Sequence, residues 1–182
     1  MANVRDVLDD FVQRYVRRFP NLVDQHDPLW PSPCTLGAPD ADGRIFWRPL
    51  ARTGMQDFTP LERALDVPVH PDICAYYGAY WSGGLEASGS FGHVSLLLLW
   101  NEDDAIRLIE NQIGHALAQR RARAPLAIFF ACGAPDTEDV YSVDNHTGRV
   151  LLEQPGRKPL REIAPDLATF IAALAPAQPR LA

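Results

Sequence analysis

The sequence predicts an α+β fold, a mainly antiparallel meander sheet packed against flanking helices. Three observations predict it. Apolar residues recur at helical spacing near both ends and over residues 101–121. Short alternating or apolar runs bounded by Gly, Pro and Asp fill 72–100 and 126–152. The chain has 182 residues and is 47% hydrophobic, which suits one domain over 1–182 with a full core.

The elements follow in order. Residues 3–19 read as a helix, with Val4, Val7, Leu8, Phe11, Val12, Tyr15, Val16 and Phe19 forming one apolar stripe. Asp6, Asp9 and Asp10 come early and Arg14, Arg17 and Arg18 late, which complements the helix dipole, and Pro20 ends it. A core-packing helix is preferred to a membrane-surface one, because the basic residues are confined to the last turns. Residues 20–60 are expected to be irregular, rich in Pro and Gly, with short strands at Cys34–Leu36 and Arg44–Trp47 joined by a turn at 40–43. Thr59 is expected to cap a helix with Pro60 in its first position and Glu62 in its first turn.

The meander is placed at Ile73 to Trp81, Leu85–Ser88 and His93–Leu99, with a turn at Ser82-Gly83-Gly84. The helix over 101–121 has Asn101 as its cap, Glu102, Asp103 and Asp104 in its first turn, and Arg120 and Arg121 at its end. Its buried stripe is expected at Ile106, Ile109, Ile113 and Leu117. Gly114 costs a helix interior about 1 kcal/mol relative to Ala, so close packing or a partner contact is expected there. Leu126–Cys132 reads as a central strand, and Val140–Val143 and Arg149–Leu152 as a pair joined by a turn at 144–148. Pro165 opens a last helix with Leu167, Phe170, Ile171 and Leu174 on one face, and a frayed tail is expected over 176–182.

Composition limits function. The net charge is −6 with a single lysine, Lys158, which argues against nucleic acid as a partner, since phosphate contacts need clustered cations. Cys34, Cys74 and Cys132 are odd in number and form no CxxC pair, so reduced thiols are expected. No signal peptide and no apolar run of membrane-spanning length is read. His26, His70, His93, His115 and His146 are scattered without zinc spacing, and there is no phosphate-binding loop or nucleophile elbow. No cofactor, metal or catalytic residue is therefore assigned. A thiol- or metal-dependent enzyme centred on Cys34 or Cys74 is the distant alternative, and His115 reads as a hydrogen-bonded structural residue.

The charges are uneven. Residues 54–110 hold nine carboxylates against Arg63 and Arg107, net −7, while the remainder is net +1. A meander flanked by helix starts brings several of these carboxylates together, and such a field speeds the encounter with a basic partner. A solvated face that keeps the protein soluble accounts for the same count.

The residues also resemble a family. Pro31-Ser32-Pro33-Cys34, Trp47-Arg48-Pro49, Leu61 to Asp66, Pro71 to Tyr77 with Tyr80 and Gly83, and Phe91-Gly92 carry the resemblance. The most specific block is Trp100-Asn101-Glu102-Asp103-Asp104 with Arg107, Glu110-Asn111, Ile113-Gly114-His115, Gln119 and Arg121. The chain resembles Syd, the bacterial SecY-interacting family within the SUKH superfamily, over nearly its whole length. Arginine stands where the family tends simply to be basic, as at Arg121 and Arg123, and the tail after Pro176 has no clear counterpart. The resemblance implies a peripheral protein at the cytoplasmic face of the bacterial inner membrane, binding the basic loops of the SecY channel through an acidic concave face. The residues expected to make that contact are Glu62, Asp66, Asp72, Glu86, Asp103 and Asp104. The alternative is an immunity protein of SUKH type that uses the same face against a basic toxin. The oligomeric state is left open.

Overall fold

In the computed structural model, residues 3–179 are described. The chain opens with helix α1 (Val4–Arg18), capped by Asn3, whose side chain accepts the Arg5 backbone N–H. Its Val4, Leu8, Phe11, Val12, Tyr15 and Val16 are buried, as the stripe requires. It packs against α5 (Leu167–Ala172) and α3 (Pro71–Tyr77). Strands β1 (Leu22–Gln25), β2 (Thr35–Leu36) and β3 (Arg44–Trp47) form a small antiparallel sheet in the order β1-β3-β2. A second small pair follows from β4 (Leu50–Ala51) and β5 (Tyr80–Trp81).

The main sheet has seven strands in the order β11-β10-β9-β8-β7-β6-β12. They are β6 (Leu85–Gly89), β7 (Gly92–Leu96), β8 (Ala127–Cys132), β9 (Val140–Asp144), β10 (Val150–Glu153), β11 (Arg161–Ala164) and β12 (Ala175–Pro176). Every adjacent pair is antiparallel, and all but the β12 edge follow chain order, the meander that the runs predict. Helices α2 (Thr59–Leu65) and α4 (Glu102–Ala122) pack on each other, and α4 lies against β8. At the centre of β8, Phe130 meets the rings of Tyr76 and Phe170, while its neighbour Phe129 meets His115 of α4.

Four local expectations are corrected. Ile73 to Trp81 is a strand in the sequence reading, yet 71–77 is helical. Pro71 occupies the first turn, the His70 ring accepts the Asp72 N–H, and Ile73, Tyr76 and Tyr77 are buried at helical spacing. Thr59 is not the cap of α2. Phe58 holds the cap position, and the Asp57 carboxylate two residues before Thr59 accepts the Thr59 N–H. The buried face of α4 is rotated from the expected stripe. Ala105, Leu108, Gln112, Ala116 and Gln119 are buried and Ile109 and Ile113 pack half-buried against the core, whereas Ile106 is 58% and Leu117 44% exposed. The glutamines are drawn inward because their amides satisfy strand polar groups. Finally, 20–60 is more ordered than expected, since β1 lies within it. At the other end, β12 pairs with Ala87 and Ser88, and the Ala177 N–H donates to the Glu86 carbonyl. The last residues of the expected frayed tail lie outside the described residues.

A candidate acidic groove

Strand β1 pairs with β3 in a register that sets Leu22 opposite Trp47 and Asp24 opposite Ile45. Residues opposite each other in an antiparallel pair project to the same side. That shared face looks onto Gly83 and Gly84, which lead into β6. Two pockets adjoin here, sharing Asp24, Gly83 and Gly84. The larger, about 460 Å³, runs past Phe19, Leu22, Trp47 and Glu86. The smaller, about 300 Å³, runs past Asp27, Trp30, Ile45, Trp100 and Asp104.

Local chemistry fixes the carboxylates. Asp24 accepts the Gln25 N–H at 2.7 Å, and Asp27 accepts the Leu29 N–H at 2.9 Å. Asp104 belongs to a reciprocal helix cap. Asn101 accepts the Asp104 N–H at 2.8 Å, and Asp104 accepts the Trp100 N–H at 3.0 Å. The 30–32 loop is tied to this helix start. The Trp100 indole donates to the Trp30 carbonyl at 3.0 Å, Asn101 donates to the Pro31 carbonyl at 2.8 Å, and Ser32 donates to the Trp100 carbonyl. The Arg107 guanidinium lies 4.9 Å from the Trp30 ring centre. Trp47 and Trp100 meet edge to face with centroids 5.8 Å apart.

The smaller pocket is thus lined by Asp24, Asp27 and Asp104, with no lysine or arginine among its described lining residues. The larger adds Glu86, with Arg18 at its rim. Glu86 is 5% exposed; it accepts from Ser95 Oγ at 2.9 Å and lies 2.6 Å from His93 Nε2.

Of the six residues expected to make contact, Glu86 and Asp104 line the two pockets, and Asp103 is exposed one residue from Asp104. The other three sit on the α2–α3 side and line neither pocket. Glu62 accepts the Val69 N–H at 2.9 Å and holds the turn between α2 and α3. Asp66 is exposed and ends α2 in a left-handed conformation. Asp72 is in the first turn of α3, 4.0 Å from His70. Asp24 and Asp27 lie outside the acidic segment 54–110 that the sequence singles out. Residues 20–43 hold four aspartates and no lysine or arginine, a signal that would have found them.

The thiols named as possible nucleophiles are held protonated. Burial pushes the Cys34 thiol up, against the lowering effect of Ser32, whose Oγ lies 3.1 Å away. Burial, then the field of Glu62, pushes Cys74 up to about 11. Thiolate is the nucleophilic form, so neither is poised for it at neutral pH. His115 is hydrogen-bonded within a buried cluster, 2.9 Å from Gln119 Nε2 and 3.3 Å from Glu153 Oε2. Among the described residues no group of three or more His, Cys, Asp or Glu converges to hold a metal ion. No described helix is long and apolar enough to cross a membrane.

Fold and site together define an α+β domain with two adjoining carboxylate-lined pockets between its small and main sheets. The chain belongs to the Syd family. The family model described as Syd protein (SUKH-2) matches residues 4–176. The chain is 39% identical to Protein Syd of Pseudoalteromonas atlantica, over 96% of this chain and 97% of that one. It is 37% identical to Protein Syd of Hahella chejuensis, over 96% and 93%. It is 39% identical to Protein Syd of Colwellia psychrerythraea, over 90% and 86%.

Proposed function

We propose that this protein binds the basic cytoplasmic loops of the SecY channel through the Asp24–Asp27–Asp104 groove, as a peripheral component at the inner face of the bacterial inner membrane, and so monitors or regulates the SecYEG complex. The observation that carries this reading is the charge of the smaller pocket, three carboxylates and no lysine or arginine among its described lining residues. Cytoplasmic loops of channel proteins carry excess Lys and Arg, so the complement is physically direct. Asp103 and Glu86 extend the surface on either side. Asp66 and Asp72 contribute to the longer-range field, and Glu62 is spent on the α2–α3 turn.

The test uses D24N, D27N and D104N together. Each asparagine keeps an oxygen that can accept the same backbone N–H, so the turns and the helix cap are retained while three charges go. Each lost exposed pairing is worth about 0.2–1 kcal/mol, so the triple variant is expected to bind SecYEG membranes on the order of 3- to 100-fold more weakly. The wild-type interaction is expected to weaken as salt rises. Equal retention of wild type and triple variant on SecYEG vesicles at low salt overturns the reading.

A further inference from the structure

We propose that the groove takes its partner as an extended strand that adds to the free edge of β1, with cationic side chains at alternate positions. The proposal rests on the acidic-groove reading above and specifies the conformation of the segment that the groove accepts.

Strand β1 is an outer strand of its sheet. In an antiparallel pair, the N–H and C=O of one residue point to the same side, and successive residues alternate sides. The His26 N–H donates to the Gly43 carbonyl, and this sets the phase. Leu22, Asp24 and His26 turn their peptide groups to β3, and Val23 and Gln25 turn theirs away. The Gln25 N–H folds back onto Asp24 Oδ1. The Val23 N–H and the carbonyls of Val23 and Gln25 have no backbone partner among the described residues. These two residues line the groove, Val23 in the larger pocket and Gln25 in the smaller. An unpaired strand edge therefore borders the acidic space.

A second observation also points to an incoming ligand. Trp47 is only 7% exposed and lines the larger pocket, yet its indole N–H has no acceptor among the described residues. The orphan donor marks the floor of the groove, on the face where the side chains of a segment docked at β1 would lie. Strand addition takes its affinity from the main chain and reads side chains at every second position. Neighbouring positions on one face of a strand are about 6.6 Å apart. A peptide with Arg or Lys at every second residue therefore sets all its cations on the side of Asp24, Asp27 and Asp104. A helical segment would bring its cations to one face at every third or fourth residue and leave the β1 edge open.

The test is fluorescence anisotropy with the full chain and a labelled ten-residue peptide alternating Arg with Thr or Val. Two N-methylated versions carry the methyl on the amides of the Arg residues or on those of the intervening residues. In a strand these two sets point to opposite edges, and only one set can face β1. The expected result is that one version binds at least about tenfold more weakly and the other binds like the parent. Hydrogen exchange at the Val23 amide is expected to slow in the complex. Equal binding of both versions, equal weakening of both, or no binding by the parent at low salt overturns strand addition. If strand addition fails while D24N/D27N/D104N still releases SecYEG, the groove reading survives. If the triple variant leaves SecYEG binding unchanged, that reading falls as well.

Discussion

Glu86 and His93 meet diagonally across the β6–β7 ladder, with carboxylate Oε2 and imidazole Nε2 2.6 Å apart. The register explains the contact. Glu86 faces Ser95 and Ser88 faces His93, so His93 is the diagonal neighbour on the same face. Ser95 donates to the other carboxylate oxygen. Glu86 thus lines the larger pocket as a hydrogen-bonded, nearly buried group. Truncation to Ala strands the Ser95 hydroxyl and His93, at a cost of about 1–3 kcal/mol. For a chain of this length each kcal/mol moves Tm by about 2–4 °C. E86A is therefore expected to melt about 2–12 °C lower by circular dichroism, and E86Q, which keeps an acceptor for Ser95, less so. An E86A melting curve superposed on wild type would show that this pair does not hold the sheet. It follows that binding at this position is best probed with Gln.

Gln119 is expected to matter more for stability than either exposed aliphatic residue of its helix. It is 1% exposed; its Oε1 accepts the Ala127 N–H and its Nε2 donates to the Ala127 carbonyl, each at 3.1 Å. The same Nε2 is 3.1 Å from Glu153 Oε1. Q119A leaves the Ala127 N–H and carbonyl without their side-chain partner and takes one partner from the buried Glu153 carboxylate, and the expected loss is at least about 2 kcal/mol. I106A and L117A remove exposed side chains and are expected to stay within about 0.5 kcal/mol of wild type. Urea unfolding of the three variants measures the order, and a larger loss for I106A or L117A contradicts this account of the helix face.

That rotated face shows how far the sequence could be read. Helices α1 and α4 and strands β3 and β8 were legible because caps, Pro and Gly breaks and apolar runs agreed on them. The inward face of α4 was not, because its glutamines are recruited by strand groups that only the fold brings near. Ile73 to Trp81 alternates like a strand, and the deciding information was Pro71 with His70 just outside that run. The groove was half legible. Asp104 and Glu86 lay within the acidic count, whereas Asp24 lies on a four-residue strand whose inward Leu22 is its only fully buried residue. The pocket joins β1, the 83–84 turn and the start of α4, which are far apart in sequence, so no single stretch could reveal it.

Two glycines are expected to respond oppositely to the same substitution. A Cβ on Gly83 would stand 2.9 Å from Trp47 Cζ2. The ring is held between its strand and Trp100 and has little room to yield. Gly83 does not have a positive φ, so space rather than backbone conformation selects glycine there. G83A is expected to lose about 1–3 kcal/mol through overpacking and to weaken the proposed groove binding by displacing Trp47. Gly114 is the contrary case. The sequence reading expected close packing or a partner at this position, but nothing lies within 4 Å of a Cβ built there, so packing does not require the glycine. In a helix interior Ala is favoured over Gly by about 1 kcal/mol. G114A is therefore expected to raise Tm by about 2–4 °C and, lying outside both acidic pockets, to leave the SecYEG binding proposed above unchanged. A G114A variant that gains stability but loses the proposed binding would show that α4 contributes a second contact, reserved for a partner that approaches within a methyl group of the helix backbone.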